Sequence, residues 1–122
     1  MTNEVLKPGD IVLAALPFND PKGHEQEGKR PVVVVVIPQG TLRYPVVIVV
    51  PLTTQSGPWA KENPSLYQHL PAGSGGLSQA SIALLDQIRA LDVQRVNAYL
   101  GTLEPKIFTP IRNNLLQLFE RA

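Results

Sequence analysis

The sequence predicts a mainly β domain with appended helices, built as a small half-open barrel or a strongly bent sheet and closed by a C-terminal helix. Two runs that are apolar at every position and flanked by proline, residues 31–38 and 45–51, indicate strands covered on both faces. Apolar residues near the C-terminus recur at three- and four-residue spacing, which is typical of one face of a helix. Short strands with one closing helix are typical of such a small barrel.

The first half of the chain predicts three strands. An apolar run at residues 11–16, β-branched at its start, indicates the first strand, and the polar residues 19–29 indicate an exposed loop. Because proline cannot donate a hydrogen bond to a sheet, we expect Pro38 and Pro45 to end the two central strands. The loop at 39–44 then joins these strands as an antiparallel hairpin.

The second half is interrupted by glycine and proline and predicts shorter elements. We expect a short edge strand near 65–70 and a flexible connector at 73–76. Periodicity does not separate a strand from a helix fragment over residues 81–86, and we interpret them as a strand. The terminal helix is expected to have Thr109 as its cap and Pro110 at its first helical position.

Composition indicates one folded domain over residues 1–122. Of the 122 residues, 43% are hydrophobic and 17% are charged, which supports a core and argues against disorder. The 11 basic and 10 acidic side chains give a net charge of +1, so any nucleic-acid contact has to be local. No apolar run approaches the ~18 residues of a membrane span, and the start of the chain has no signal pattern. We therefore expect a cytoplasmic protein.

We expect neither a metal nor another cofactor. Without cysteine there is no disulfide, thiolate nucleophile or cysteine metal site. The two histidines, His24 and His69, do not have the spacing of metal ligands. The glycines at 73–76 lack the Gly-Lys-Ser/Thr ending of a phosphate loop, and no Gly-x-Ser-x-Gly sequence marks a hydrolase nucleophile.

The expected hairpin brings two polar residues together at its open end. If Pro38 faces Pro45, opposed residue numbers sum to 83, which sets Arg30 opposite Thr53 with their Cβ atoms ~5 Å apart. A proline at position 31 favours an extended Arg30. A guanidinium and a hydroxyl on one face could meet a substrate together. On the residues alone, a surface cation and an ordinary strand threonine are the more common explanation of this pair.

Four motif stretches follow one another along the chain. They are Pro-Gly-Asp-Ile-Val at 8–12, Gly-His-Glu-Gln-Glu-Gly-Lys-Arg-Pro at 23–31, Pro-Leu-Thr-Thr-Gln at 51–55 and Asp-Gln-Ile-Arg-Ala-Leu-Asp at 86–92. In this order and spacing they resemble the MazF/PemK toxin family over nearly the whole chain.

This resemblance implies an SH3-like barrel of the MazF/CcdB type with a C-terminal helix. It also implies a homodimer and the toxin of a type II toxin–antitoxin system, with a protein antitoxin as partner. The implied activity is that of an mRNA interferase, a metal-independent endoribonuclease that cleaves single-stranded RNA at short sequences. Attack by the ribose 2′-hydroxyl would leave a 2′,3′-cyclic phosphate and a 5′-hydroxyl.

The resemblance also implies roles for individual residues. Arg30 and Thr53 match the catalytic arginine and threonine of the family. Six further residues match positions that line its substrate groove: Glu25, Gln26, Thr54, Gln55, Ser81 and Gln87. The general base is not fixed. Glu25 and His24 are the candidates because both lie on the loop that leads to Arg30, and Glu25 is ranked first. The aromatic side chains available for stacking RNA bases are Phe18, Tyr44, Trp59 and Tyr67.

One departure separates the chain from part of the family. Some members of the PemK branch carry an arginine two residues before the acidic residue that matches Asp86, and here Leu84 stands in that place. Activity would then rest on Arg30 and Thr53. The alternative is a non-catalytic, CcdB-like toxin that binds DNA gyrase, against which the motif around Arg30 argues. An SH3-like module for proline-rich peptides is disfavoured by the 6% aromatic content.

Overall fold

A computed structural model describes residues 6–121, and within this range the chain folds into seven strands and two α-helices. The strands are β1 (Asp10–Leu16), β2 (Gly28–Val36), β3 (Val46–Thr53), β4 (Tyr67–Leu70), β5 (Ser81–Leu84), β6 (Arg89–Asp92) and β7 (Val96–Thr102), and the helices are α1 (Pro58–Glu62) and α2 (Pro105–Glu120). The sheet runs β4-β5-β3-β2-β1-β7 with antiparallel neighbours, and β6 also pairs with β3. The predicted fold class, a mainly β barrel with a C-terminal helix, is confirmed. The ends of the predicted domain, residues 1–5 and 122, lie outside the described residues.

The central hairpin of β2 and β3 forms as predicted, but its register changes along its length. At the open end the pairs are Val32 with Pro51, Val33 with Val50 and Val34 with Val49. These residue numbers sum to 83, as expected. A bulge after Val34 shifts the register, so that Val36 pairs with Ile48. The assumption that Pro38 faces Pro45 is therefore wrong, because the bulge adds one residue to β2.

Both faces of the central strands are buried, as the uninterrupted valine runs predict. Val33 and Val35 of β2 pack in one cluster with Ile111 of α2. Val32 and Val34 point to the opposite face and pack in a second cluster with apolar residues of β1, β3 and β6. Burial of each such side chain contributes about 1.5–3 kcal/mol. This double burial explains why the valine runs show no alternation of apolar and polar residues.

The C-terminal helix begins five residues before its predicted start. α2 begins at Pro105 with Glu104 at the N-cap, and Pro110 lies inside the helix. The prediction that Thr109 caps the helix is wrong, because Pro105 is the proline that occupies the first turn, where no backbone N–H is required. Pro110 instead costs the helix one internal hydrogen bond. Neither described helix is long and apolar enough to cross a bilayer.

The short strands near 65–70 and 81–86 are confirmed as β4 and β5, whereas α1, β6 and β7 were not predicted. β7 is an edge strand that pairs with β1 alone among the described strands. Its sequence, Val-Asn-Ala-Tyr-Leu-Gly-Thr, buries the first residue and exposes the next three. It therefore carries no alternation of apolar and polar residues. Tertiary pairing rather than local pattern makes it a strand.

The glycine-rich segment at 73–76 is a packed turn, and the prediction of a flexible connector is wrong. Residues Ser74–Gly76 form one turn of 3-10 helix that contacts β7. A Cβ atom placed on Gly76 would overlap the carbonyl group of Leu100, and one on Gly101 would overlap the carbonyl group of Gly75. The two backbones thus approach closer than a side chain allows. Glycine is required here for packing, not for flexibility.

A buried carboxylate ties the start of β1 to β7. Asp10 is 0% exposed and accepts hydrogen bonds from the Lys7 backbone N–H at 2.9 Å and the Thr102 hydroxyl at 2.8 Å. The Lys7 ammonium lies 3.0 Å from the same carboxylate and donates to it. This hydrogen bond and the negative charge of Asp10 raise the pKa of Lys7. The buried charge is therefore fully hydrogen-bonded, as its burial requires.

Candidate active site

A groove of about 500 Å³ opens where the central hairpin ends. The last pair between β2 and β3 joins Val32 to Pro51. Beyond it, β2 continues beside β1, where Arg30 pairs with Ala14, and β3 continues beside β5. The residues that line the groove are His24, Gln26, Thr53, Gln55, Trp59, Tyr67, Leu84, Asp86 and Gln87. Its volume lies within the range of small-ligand sites, about 300–1000 Å³.

Thr53 lies in this groove, and Arg30 lies on the neighbouring strand β2, two residues beyond the last β2–β3 pair. The strands separate before these residues, so that Arg30 pairs with Ala14 of β1 and Thr53 with Ile82 of β5, and the predicted direct pairing of Arg30 with Thr53 does not form in the sheet. Both residues continue the face that Val32 and Val49 share in the second core cluster. Thr53 is 7% exposed, and its hydroxyl oxygen accepts a hydrogen bond from the backbone N–H of Gln55 at 3.1 Å.

The Arg30 side chain is half-buried and does not itself line the groove. Its Nε donates a hydrogen bond to the backbone carbonyl of Glu27 at 3.0 Å. This bond uses one of the five N–H donors of the guanidinium and leaves the terminal amino groups with their fork geometry. Arg30 is thus restrained by the loop that precedes it.

Gln87 fixes the loop at 19–27 against the turn that follows β5. Its side-chain Oε1 accepts a hydrogen bond from the backbone N–H of Gln26 at 2.7 Å, and its Nε2 donates to the carbonyl of His24 at 3.3 Å. Both ends of the amide are therefore engaged by the loop backbone. Gln87 lines the groove as predicted by position, and it also positions the loop.

Glu27 organises the same loop from within, a role that the sequence did not predict. Its carboxylate accepts hydrogen bonds from the Asn19 backbone N–H at 2.8 Å and from Lys22 Nζ at 3.0 Å. These two hydrogen bonds, with the nearby charges of Lys22 and Arg30, lower the pKa of Glu27. Its backbone carbonyl also restrains Arg30. The only signal in the sequence is an acidic residue within a glycine-containing loop, which is not specific.

We expect Glu27→Ala to loosen the loop at 19–27 while leaving the barrel intact. Amide hydrogen exchange measured by mass spectrometry should become faster at 19–26 and stay unchanged in β2 and β3. Because the pKa of Glu27 is lowered on folding, its contribution to loop order is present above about pH 4.5, the ordinary value, and is lost as the pH falls through the lower folded value. Glu62→Ala, an exposed carboxylate on α1, is the control. Equal exchange in both variants would contradict this role.

The other predicted substrate residues separate into two groups. Gln26 and Gln55 line the groove with Thr53, whereas Glu25 lines a neighbouring groove of about 340 Å³ that shares Asp86 and Gln87 with the first. The structure does not bring Thr54 and Ser81 to either groove wall. Thr54 is exposed after β3, and Ser81 is buried at the start of β5 with its hydroxyl bonded to Gln79. Of the two candidate bases, His24 shares the groove with Thr53 and Glu25 does not.

Gln26 carries an acceptor that the described residues leave unsatisfied. Its Oε1 is buried without a hydrogen-bond partner, although its backbone N–H is bonded to Gln87. A buried unpaired acceptor costs about 1–3 kcal/mol. A donor from a bound substrate could offset this cost after a small rotation of the amide.

An aromatic pair forms one wall of the groove. The rings of Trp59 and Tyr67 meet edge to face, with centroids 5.0 Å apart and an angle of 85° between their planes. The Tyr67 hydroxyl donates a 2.7 Å hydrogen bond to Asp86, and this bond raises the pKa of Tyr67. Tyr67 therefore remains a protonated donor through the neutral range. Through this bond, Asp86 orients the Tyr67 ring at the groove wall.

Two further features of the described residues bear on the choice of site. No group of three His, Asp or Glu side chains among residues 6–121 is arranged to hold a metal ion. A larger cavity, about 720 Å³, lies between the turn at 73–76 and the start of α2. It contains none of the predicted site residues. The groove beside Thr53 is therefore the candidate active site.

Fold and groove together define a class of protein: a small antiparallel barrel closed by a C-terminal helix, with a polar groove at the open end of its central hairpin. Residues 7–119 match the sequence profile of the family described as "PemK-like, MazF-like toxin of type II toxin-antitoxin system". The chain belongs to this PemK/MazF toxin family, as the resemblance implied.

Individual relatives agree with this assignment. The chain is 32% identical over 109 residues to the endoribonuclease MazF of Staphylococcus saprophyticus, covering 89% of this chain and 87% of the relative. A crystal structure of MazF from Deinococcus radiodurans has a TM-score of 0.69 at 23% identity, covering 95% of this chain and 97% of that one. A mycobacterial endoribonuclease in complex with its cognate antitoxin has a TM-score of 0.67 at 16% identity, covering 97% and 98%. At these identities, the two structures support the fold.

Proposed function

We propose that this chain is a toxin that acts as a metal-independent endoribonuclease on single-stranded RNA. The observation that carries the proposal is that Thr53 lines a polar groove at the end of the central hairpin, while Arg30 lies on the adjacent strand, two residues beyond the last hairpin pair. The curated relative with 32% identity is named as an endoribonuclease. Leu84 lines the groove at 5% exposure, so the proposed chemistry uses no second arginine at that place.

The proposed reaction is an in-line attack of a ribose 2′-oxygen on the adjacent phosphorus. The O2′–P bond forms while the P–O5′ bond breaks, which gives a 2′,3′-cyclic phosphate and a 5′-hydroxyl. The 2′-hydroxyl gives its proton to a base on the loop at 19–27, which carries His24 and Glu25, and the leaving O5′ takes up a proton from water. No metal ion is needed for this balance.

Arg30 and Thr53 have distinct roles in this proposal. Negative charge develops on the non-bridging phosphate oxygens, where preorganised donors accelerate the reaction most effectively. The Arg30 guanidinium offers a permanently charged, planar fork that fits two phosphate oxygens. The Thr53 hydroxyl adds a neutral donor whose oxygen is already oriented by the N–H of Gln55. Arg30 therefore supplies a charged donor to the phosphate, and Thr53 supplies a neutral donor whose orientation is fixed.

The proposed partners are a second copy of the chain and a protein antitoxin. The structural neighbour solved with its cognate antitoxin supports the second of these. Two neutral amide side chains that the loop backbone does not engage line the groove, from Gln26 and Gln55, beside the engaged amide of Gln87. Such groups read the edges of unpaired bases, which supports single-stranded RNA as the substrate.

We expect Thr53→Val to lower the cleavage rate about 10²-fold, because valine keeps the shape of threonine and removes the donor. The measurement is the initial rate on a mixed-sequence, single-stranded RNA in EDTA. Thr109→Val on the exposed side of α2 should cleave like the wild type. If folded wild-type protein produces no cuts at any dose, the proposal is wrong, and inhibition of gyrase supercoiling in a parallel assay would then favour the CcdB-like alternative.

A further inference from the structure

We propose that Trp59 is a stacking platform for one unpaired nucleobase of the RNA, so that it sets base preference beside the cut. This inference rests on the proposed function, because it names how the same groove holds its substrate. The indole lines the groove with Thr53 and is 38% exposed. An aromatic face that is held open to solvent in a polar groove offers the surface on which an unstacked base can lie.

The helix that carries Trp59 is anchored by its neighbour. Ala60 is 0% exposed and packs with Ile82 and Leu84 of β5 in a small apolar cluster. Ala60 thus attaches α1 to the sheet and leaves the adjacent Trp59 at the groove. Lys61 and Glu62 line a different depression and not the groove. The helix therefore presents its indole, and not its charges, to the groove.

The orientation of the indole is set from two sides. Tyr67 meets it edge to face at 5.0 Å and is itself held by the 2.7 Å bond to Asp86. On the other side, a Cβ atom on Gly57 would lie 2.7 Å from the indole Nε1 and 2.9 Å from Cδ1. The indole therefore occupies space that only glycine leaves free. A ring fixed before binding loses little conformational entropy when a base stacks on it.

The charges of the groove favour a base over a phosphate at this position. Among the nine residues that line it there is no lysine or arginine, and Asp86 places a carboxylate beside Tyr67. A phosphate at the Trp59 wall would meet this negative charge without a cation to balance it. A neutral base avoids that repulsion, and the nearby amides of Gln26 and Gln55 can bond to its edge.

Intrinsic fluorescence tests the platform directly, because Trp59 is the only tryptophan in the chain. The probe is a short 2′-O-methyl RNA of random sequence, which cannot undergo 2′-hydroxyl attack, and its binding is followed independently by the anisotropy of an end label. We expect saturating probe to quench the Trp59 emission. A probe with the same backbone but abasic at every position should leave the emission unchanged, because phosphates alone cannot stack.

Variants separate this role from a structural one. We expect Trp59→Ala to raise KM for a cleavable RNA roughly tenfold to a hundredfold, the range of one lost base stack, and to flatten the base preference next to the cut. Trp59→Phe should restore most of the wild-type KM and most of the wild-type base preference. Glu62→Ala, whose side chain does not line the groove, should match the wild type, and thermal unfolding of all variants shows whether α1 remains folded.

The outcomes distinguish this inference from the proposed function. Unchanged emission at saturating probe, or Trp59→Ala cleavage with wild-type KM and wild-type base preference, would overturn the stacking role and leave the endoribonuclease standing. Absence of both cleavage and probe binding would overturn the two together. Quenching by the abasic probe would show that the backbone, and not a base, lies against the indole, which also contradicts the inference.

Discussion

Arg30→Ala is expected to lower RNA cleavage by about 10²- to 10³-fold with little change in folding. The guanidinium is half-buried at the end of β2 and bonds only through Nε to the Glu27 carbonyl among the described residues. Its removal leaves no buried charge unpaired, so the barrel should tolerate it. The variant loses stabilisation of the transition state, because the negative charge on the phosphate oxygens then develops without a cation beside it. The effect should therefore appear mainly in kcat.

The matched controls for this variant are Arg30→Lys and Arg112→Ala. Lysine keeps the charge and loses the planar fork, so it should recover only part of the rate. Arg112 is exposed on α2, and its removal changes the net charge equally at a distance from the groove. If Arg112→Ala loses as much activity as Arg30→Ala, general attraction of RNA explains the effect and the assigned role of Arg30 is wrong.

Gly76→Ala is expected to destabilise the protein by about 3 kcal/mol or more. Gly76 has a positive φ of 80°, which strains any other residue, and its Cβ would overlap the backbone carbonyl of Leu100. Neither group can move without separating the turn at 73–76 from β7. Thermal unfolding should show a fall in Tm of more than about 10 °C.

Two glycine variants separate the causes of this loss. Gly40→Ala has a similar φ of 87° with nothing within 4 Å of its Cβ, so it measures backbone strain alone, about 1 kcal/mol. Gly101→Ala adds the overlap with Gly75 at a position without positive φ. We expect Gly101→Ala to resemble Gly76→Ala. A loss in Gly76→Ala no larger than in Gly40→Ala would contradict the close backbone packing.

The parts of the fold that sequence predicts are those with a local cause. The valine runs flanked by proline predict the central parts of β2 and β3, because double burial leaves no polar position within either run. The bulge after Val34, the pairing of β7 with β1 and the early start of α2 have no such local signal. The sequence of β7 shows neither a strand nor a helix periodicity. It forms a strand because it pairs with β1 and packs against the turn at 73–76.

In the candidate site too, the sequence predicts features with a local cause and does not predict contacts that depend on the packed barrel. The predicted register at the open end of the hairpin is confirmed as far as the pair of Val32 and Pro51, and Arg30 and Thr53 each lie two residues beyond this pair on adjacent strands. The bond between Gln26 and Gln87 joins residues 61 positions apart, and the wall of Trp59 and Tyr67 joins a helix to an edge strand. Such contacts depend on the packed barrel. The sequence therefore predicts the proposed chemistry better than it predicts how substrate is held.

The most direct test of the account is the chemistry of the RNA ends. Wild-type, Arg30→Ala and Thr53→Val proteins are incubated in EDTA with a long mixed-sequence RNA, and the new ends are sequenced and analysed for phosphate. We expect cuts at defined sequences, with 2′,3′-cyclic phosphate on one side and 5′-hydroxyl on the other, and these cuts should be strongly reduced in both variants. Cuts of equal rate in the folded variants, or 5′-phosphate ends, would contradict it.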